Sequence, residues 1–190
     1  FESSRTQGGG EITTYDSLDH SLGQARRNVY LAGKCWASYL ALEMMFQQLG
    51  ELDQATIAHE AALLCASTLE GAFDSKLGFI PAVLEGDNRS AIIPAVEALI
   101  YPWKMGLQDA TSEEGPFGAY VKMLKAHTKY VLQSGVCLYE NGGWKLSSSA
   151  DNSWMSKICL NQYIVREILG LEYGGEARAD EAHVLWQVDG

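Results

Sequence analysis

The chain reads as an all-α protein whose helices fit the rods of an α/α toroid better than a thin bundle. Long runs carry apolar residues at helical spacing, and no segment alternates convincingly as a strand. Several of these helices are apolar nearly all the way round, so they need cover on both sides.

The first helix is expected over 21–50, SLGQARRNVYLAGKCWASYLALEMMFQQLG. Val29, Leu31, Trp36, Tyr39, Leu40, Leu42, Met45, Phe46 and Leu49 form a stripe too wide for a one-sided surface helix, and Gly50 supplies the stop. A second helix covers 53–73, with Ile57, Leu63, Leu64, Leu69 and Phe73 as its apolar positions. Gly78, Pro81, Gly86 and Asp87-Asn88 then punctuate 74–90, which reads as a loop with room for a small hairpin. A third helix is expected over 92–103, IIPAVEALIYPW, broken near Pro102.

The fourth helix covers 117–135 and ends at Gly135. A Gly- and Ser-rich connection, VCLYENGGWKLSSSADNS, leads to a fifth over 154–170, beside the caps Asp151, Asn152 and Ser153. A weaker sixth follows Ala177. Two connections of about 15 residues are unusual in a small domain unless they carry function.

Composition removes several classes of function. At 190 residues and 47% hydrophobic, the chain can bury a substantial core. A net charge of −10 leaves no basic stripe for nucleic acid. No apolar run approaches the roughly 18 residues of a membrane span. Cys35, Cys65, Cys137 and Cys159 are far apart and show no metal-ligand spacing, so buried free thiols are expected, as suits a reducing compartment. The start, FESSRTQGGG, has neither Met nor a signal-peptide pattern, which suggests a chain cut from a longer one.

Candidate chemistry begins in EITTYDSLDHSLGQARRN, where Asp16 and Asp19 follow Tyr15. Pattern alone favours Asp16 as the N-cap of a helix beginning near Ser17, with Asp19 in its first turn; catalysis comes second and metal binding third. Trp144, Lys145, Asn152, Trp154 and Lys157 mix aromatic faces, amides and positive charge around the long connection. Carbohydrate sites use such a mixture, and packing anchors are the equal alternative for the tryptophans. Glu97 stands alone among apolar residues, so it is paired, exposed or used. It can orient a sugar hydroxyl or hold Lys145 or Arg27, and a partly exposed helix position is slightly favoured. The histidines share no ligand spacing, and serine-hydrolase, zinc-protease and phosphate-loop motifs are absent.

The blocks ITTYDSLDHSLGQARRNVYLAGKCWASYLALE, IIPAVEALIYP, GGWKLSSSADNSWMSKICLNQYIVREILGLE and ADEAHVLW resemble the C-terminal part of glycoside hydrolase family 52, the β-xylosidases. The resemblance runs in order across nearly the whole chain. It implies a retaining glycosidase with an N-terminal β-sandwich and an (α/α)6 barrel. It also implies an acid/base Asp in the TTYD block, and a related family of the same clan also places its acid in a Tyr-Asp pair. Asp16 takes that role, with Asp19 as the alternative, and Tyr15 is expected to tune it. This reverses the order read from pattern alone. A Glu nucleophile is implied well upstream, and no carboxylate here stands in a matching block.

Residues 1–190 are therefore expected to be about half of the toroid's helices, without the β-sandwich, the upstream helices or the nucleophile. The expected whole is an exo-acting enzyme of xylan degradation that releases xylose from non-reducing ends of xylo-oligosaccharides, without metal or organic cofactor. It is expected to be cytoplasmic and a homodimer, with no nucleic-acid or membrane partner, and the isolated fragment is expected to be inactive. A β-glucosidase on the same toroid and a non-catalytic carbohydrate-binding helical domain are the alternatives.

Overall fold

The computed structural model describes residues 14–15, 24–172 and 176–189. Among them the protein is all-α, apart from one antiparallel pair of two-residue strands, β1 (Thr14–Tyr15) and β2 (Gln24–Ala25). The helices are α1 (Val29–Leu49), α2 (Leu52–Gly71), a 3-10 helix (Ile93–Leu99) running into α3 (Ile100–Lys104), α4 (Gly118–Val131), α5 (Met155–Tyr163) continued by a π turn (Ile164–Ile168), and α6 (Glu176–Asp189).

Several boundaries differ from those expected; the fourth helix, for one, ends at Val131 and not at Gly135. Among the described residues the first helix begins at Val29 and does not extend back through 24–28, because Gln24–Ala25 pairs with Thr14–Tyr15 and Arg27 takes a left-handed φ of 53°; the start expected near Ser17 lies outside the described residues. Its N-cap is Asn28, whose Oδ1 accepts from the Leu31 amide at 3.2 Å. Nor does the third helix break at Pro102. That residue falls in the first turn of α3, where a missing N–H costs little, and the helix stops at Met105 and Gly106 instead. Gly50 ends α1 as expected, with φ 77°.

α1, the 93–104 segment and α5 pack side by side in one layer, while α2 and α4 back them. Gly33 permits the closest approach in that layer: a Cβ there would sit 3.2 Å from the Ala98 Cβ. Between the layers, Trp36 is fully buried and meets Phe117 and Tyr120 edge-on, at centroid distances of 5.5 and 5.2 Å. A second core gathers Phe79, Ile93, Val131, Trp144, Leu146, Ile158 and Val165. Cover is one-sided on the α1–α2 hairpin, where Leu49 and Leu64 are 72% and 68% exposed. All four cysteines are free thiols; Cys65 and Cys137 are buried, whereas Cys159 is exposed, contrary to expectation.

The two long connections each precede a helix of the α1 layer, so they meet at one end of it. There they are stitched to each other and to the entry of α1. The Val29 amide donates to the Ala82 carbonyl, Leu84 to Arg27, Ile93 to Leu146 and Ser148 to Ala91, at 2.9–3.1 Å. Asn28 bridges Val83, and Ile92 bridges Ser147. His127 of α4 pins the first connection from behind. Its Nδ1 accepts from the Ile80 amide at 3.3 Å, which leaves Nε2–H to donate to the Ile92 carbonyl at 2.8 Å.

Burial pushes the His127 imidazole down to about 4 from 6.5, against the Ile92 carbonyl, which favours a protonated ring. The stability that neutral His127 contributes is complete above pH 6.5 and is lost as the pH falls through 4. The effect amounts to about 3 kcal/mol. Unfolding midpoints in denaturant between pH 7 and 4 check this: the decline is expected to flatten in His127→Gln. Equal declines in both proteins would assign the acid sensitivity to carboxylates instead.

Candidate active site

The 3-10 segment IPAVEAL starts with Pro94 fixing the first turn, and all seven of its residues are buried. Its one carboxylate, Glu97, is 2% exposed. Such a charge is tolerated only with close, well-aligned partners. Lys157, in the first turn of α5, donates to Oε1 and Oε2 at 2.7 and 2.8 Å. Tyr30, in the first turn of α1, donates its hydroxyl to Oε1 at 2.9 Å. Lys34, one turn on, brings its Nζ to 3.2 Å from Oε1. Both ammoniums also donate to the Tyr30 oxygen, at 2.6 Å from Lys34 and 2.5 Å from Lys157.

Three neighbouring helices thus converge on one carboxylate, and the cluster holds two cations against one anion. Burial works against the Lys34 and Lys157 ammoniums, but Tyr30 and Glu97 more than reverse it and hold both groups above the ordinary lysine range. Both stay charged at neutral pH. Lys157 sits in the first turn of α5, where the macrodipole disfavours a cation, and Glu97 offsets that cost.

Glu97 and Lys157 were both singled out in the sequence as candidates, and the structure brings the two side chains together. Glu97 holds neither Lys145 nor Arg27, however, and is not partly exposed. Trp144 and Lys145 lie apart from this cluster. Trp144 is fully buried in the second core, and its amide donates to His183 Nε2 at 2.9 Å, which makes it a packing anchor. The Lys145 ammonium stands 3.7 Å from an Asp151 carboxylate oxygen and 5.8 Å from the Tyr139 ring centroid.

Asn152 is a buried loop strut: its carbonyl accepts from the Leu146 amide at 2.7 Å and its Oδ1 from the Trp154 amide at 3.3 Å. The N-cap of α5 is Trp154, without a side-chain cap bond, rather than Asp151, Asn152 or Ser153. Trp154 is 49% exposed and, with Asp151, Asn152 and Ser153, borders a depression of about 490 Å³. It stands one turn before Lys157 in the chain.

Asp16 and Asp19 lie outside the described residues, and of Tyr15 the backbone alone is described. Tyr15 pairs with Gln24 in the strand ladder. Two residues beyond Gln24, the Arg26 amide donates to Glu85 Oε1 at 3.0 Å and its Nε to Oε2 at 2.6 Å. Those bonds, the amide first, hold the Glu85 carboxyl below the usual range and fasten the β2 end to the first long connection. Among the described residues no cluster of three His, Cys, Asp or Glu side chains is arranged to hold a metal. No described helix is long and apolar enough to cross a membrane.

Sequence reasoning missed Tyr30, Lys34 and the Arg26–Glu85 clamp. A faint signal existed for the first two, because positions four apart share a helix face. Replacing Glu97 by Gln strands two ammoniums, and the expected loss is about 3 kcal/mol. Lys157→Met is expected to cost less, since Tyr30 and Lys34 still meet the carboxylate. Chemical denaturation of the two variants checks the order, and a Glu97→Gln loss below that of Lys157→Met would contradict it.

No family model matches the chain. A β-xylosidase from Geobacillus stearothermophilus is 52% identical to it over 187 residues, covering 98% of the chain and 26% of that protein. The chain therefore spans about a quarter of the length of the curated relative it matches. This likeness bears out the resemblance to glycoside hydrolase family 52 read from the sequence: over nearly its whole length the chain is similar to part of a β-xylosidase.

Proposed function

We propose that the chain is part of the helical catalytic domain, an (α/α)6 toroid, of a retaining exo-β-xylosidase. The enzyme releases xylose from the non-reducing ends of short xylo-oligosaccharides in the cytoplasm, as a homodimer, and needs no metal or organic cofactor. The observation that carries this is the 52% identity to a β-xylosidase over 98% of the chain. The geometry agrees with it, since the long connections, the β1–β2 pair and the Glu97 cluster share the end of the layer where its helices begin.

In this reading Asp16, which follows Tyr15 in sequence, is the acid/base, with Asp19 as the alternative. A retaining glycosidase uses two carboxyls about 5–5.5 Å apart, one attacking the anomeric carbon while the other protonates the leaving oxygen. The acid must hold its proton near neutrality, by burial or by the neighbouring carboxylate. Once the glycosyl ester forms, the same group, now ionised, takes a proton from the water that releases the sugar. Glu97 is not the nucleophile: two ammoniums and a hydroxyl already occupy it, and that stabilisation makes it a poor attacking group. The attacking Glu is assigned outside this chain. Trp154, half-exposed at the start of α5, is assigned to stacking on a sugar ring.

The test is hydrolysis of aryl β-xylosides by the longer protein that carries this chain. Asp16→Ala is expected to lose about 10²–10⁴-fold on poor leaving groups and far less on activated ones, as loss of general acid catalysis requires. Azide is expected to restore sugar release. Asp19→Ala is expected to behave like wild type, and unchanged activity in both variants would dismiss the assignment. Faster turnover of the aryl glucoside than of the xyloside would make the enzyme a β-glucosidase.

A further inference from the structure

Within the Glu97 cluster the hydrogen-bonding capacity is unevenly used. Lys157 spends its three N–H groups on Tyr30 and on both oxygens of Glu97. Tyr30 donates to Glu97 and accepts from both lysines, which fills its hydroxyl. Lys34 is different. It makes one hydrogen bond, to Tyr30, and one ion-pair approach, to Glu97, so at least one N–H meets no described group.

That remaining N–H has space beside it. Lys34 is 30% exposed and borders a groove of about 590 Å³ between α1 and α3. Ala37, Ser38 and Ala41 form the α1 wall, with Tyr101 and Lys104 opposite. Tyr101 is 42% exposed, and its ring centroid lies 5.9 Å from the Lys34 ammonium. A half-open aromatic face, small-residue walls and an anchored donor match a pyranose ring, whose apolar face stacks while its hydroxyls accept.

We propose that Lys34 is a sugar-binding residue, donating its remaining N–H to one ring hydroxyl of the glycone, with Tyr101 as the stacking face. Tyr30 and Glu97 are then positioning residues, because they fix the ammonium and keep it charged. The assignment rests on the β-xylosidase reading for the identity of the sugar. A lysine held this way discriminates through a single hydroxyl, since removing either partner of a charge-assisted bond leaves the other unsatisfied.

The experiment is a cycle between protein and substrate in the longer protein that carries this chain. Wild type and Lys34→Met are compared on an aryl β-xyloside and on its 2-, 3- and 4-deoxy analogues. Lys34→Met is expected to lower kcat/KM on the parent substrate by about 10–100-fold, the scale of one charge-assisted hydrogen bond. On one deoxy analogue that loss is expected to shrink below about threefold, because the hydroxyl is gone.

Ser38→Trp, which fills the groove from one turn beyond Lys34 and leaves Tyr30, Glu97 and Lys157 in place, is expected to lower kcat/KM while leaving thermal unfolding unchanged. It decides the matter if Lys34→Met does not fold. Equal losses on every analogue, or no loss in either variant, would overturn the proposal. If the enzyme prefers another aryl glycoside, the xylose reading fails, yet the same cycle on that glycoside's deoxy analogues still decides Lys34. If it cleaves no glycoside, both fall.

Discussion

Glu97 sets the constraint that organises this end of the molecule. An ionised carboxylate that is 2% exposed is far too costly to leave unpaired, so the two flanking helices, α1 and α5, must bring their N-terminal turns to it. Tyr30 and Lys34 fix the azimuth of α1, and Lys157 fixes that of α5. Gly33, on the neighbouring face of α1, removes the side chain that would hold the 3-10 helix away. An apolar residue at 97 would pack as well and demand none of this. What the charge supplies is one allowed arrangement, with an ammonium aimed into a groove.

The connections have a matching role. Loops this long order themselves only if their backbone groups find partners. Here each finds them in the other, through the Ile93–Leu146 and Ser148–Ala91 bonds, and both are pinned from behind by core side chains. His127 ties Ile80 to Ile92, and His183 receives the Trp144 amide. His127 does what a buried imidazole does well, joining two backbone groups across a gap that no helix fills, while His183 takes up a single loop amide.

How much of this was legible depended on the range of the interaction. Gly50 as the stop of α1 was readable because a left-handed C-cap is a local requirement. The start of α1 was not, because QARR contains no breaker, and the pairing of Gln24–Ala25 with Thr14–Tyr15 overrides its helical tendency. Glu97 was conspicuous for the same reason that it is buried, a lone charge in an apolar run. Its partners were hidden, since Tyr30 and Lys157 stand 67 and 60 residues away and no local pattern carries such a pairing. Trp144 shows the limit of composition: an aromatic in a Gly-rich loop has the same signature whether it stacks on a sugar or anchors the loop, and burial decides for the anchor. The TTYDSLD block was legible as a block, and it carries the functional reading where spacing alone pointed to a cap.

The surplus positive charge of the cluster bears on how a retaining pair must be arranged. At about 10 Å and an effective dielectric near 20, one unit charge shifts a carboxyl by about one pKa unit. A net cation therefore favours an ionised nucleophile and opposes a protonated acid. The two requirements are met together only if the nucleophile stands closer to the ammoniums than the acid does. The acid then keeps its proton through the nucleophile's own negative charge, and releases it when that charge disappears into the glycosyl ester. Under the proposed function, Lys34 and Lys157 would then be more than structural ties: their charge would set the order in which the two carboxyls titrate, and that order would separate the attacking group from the acid.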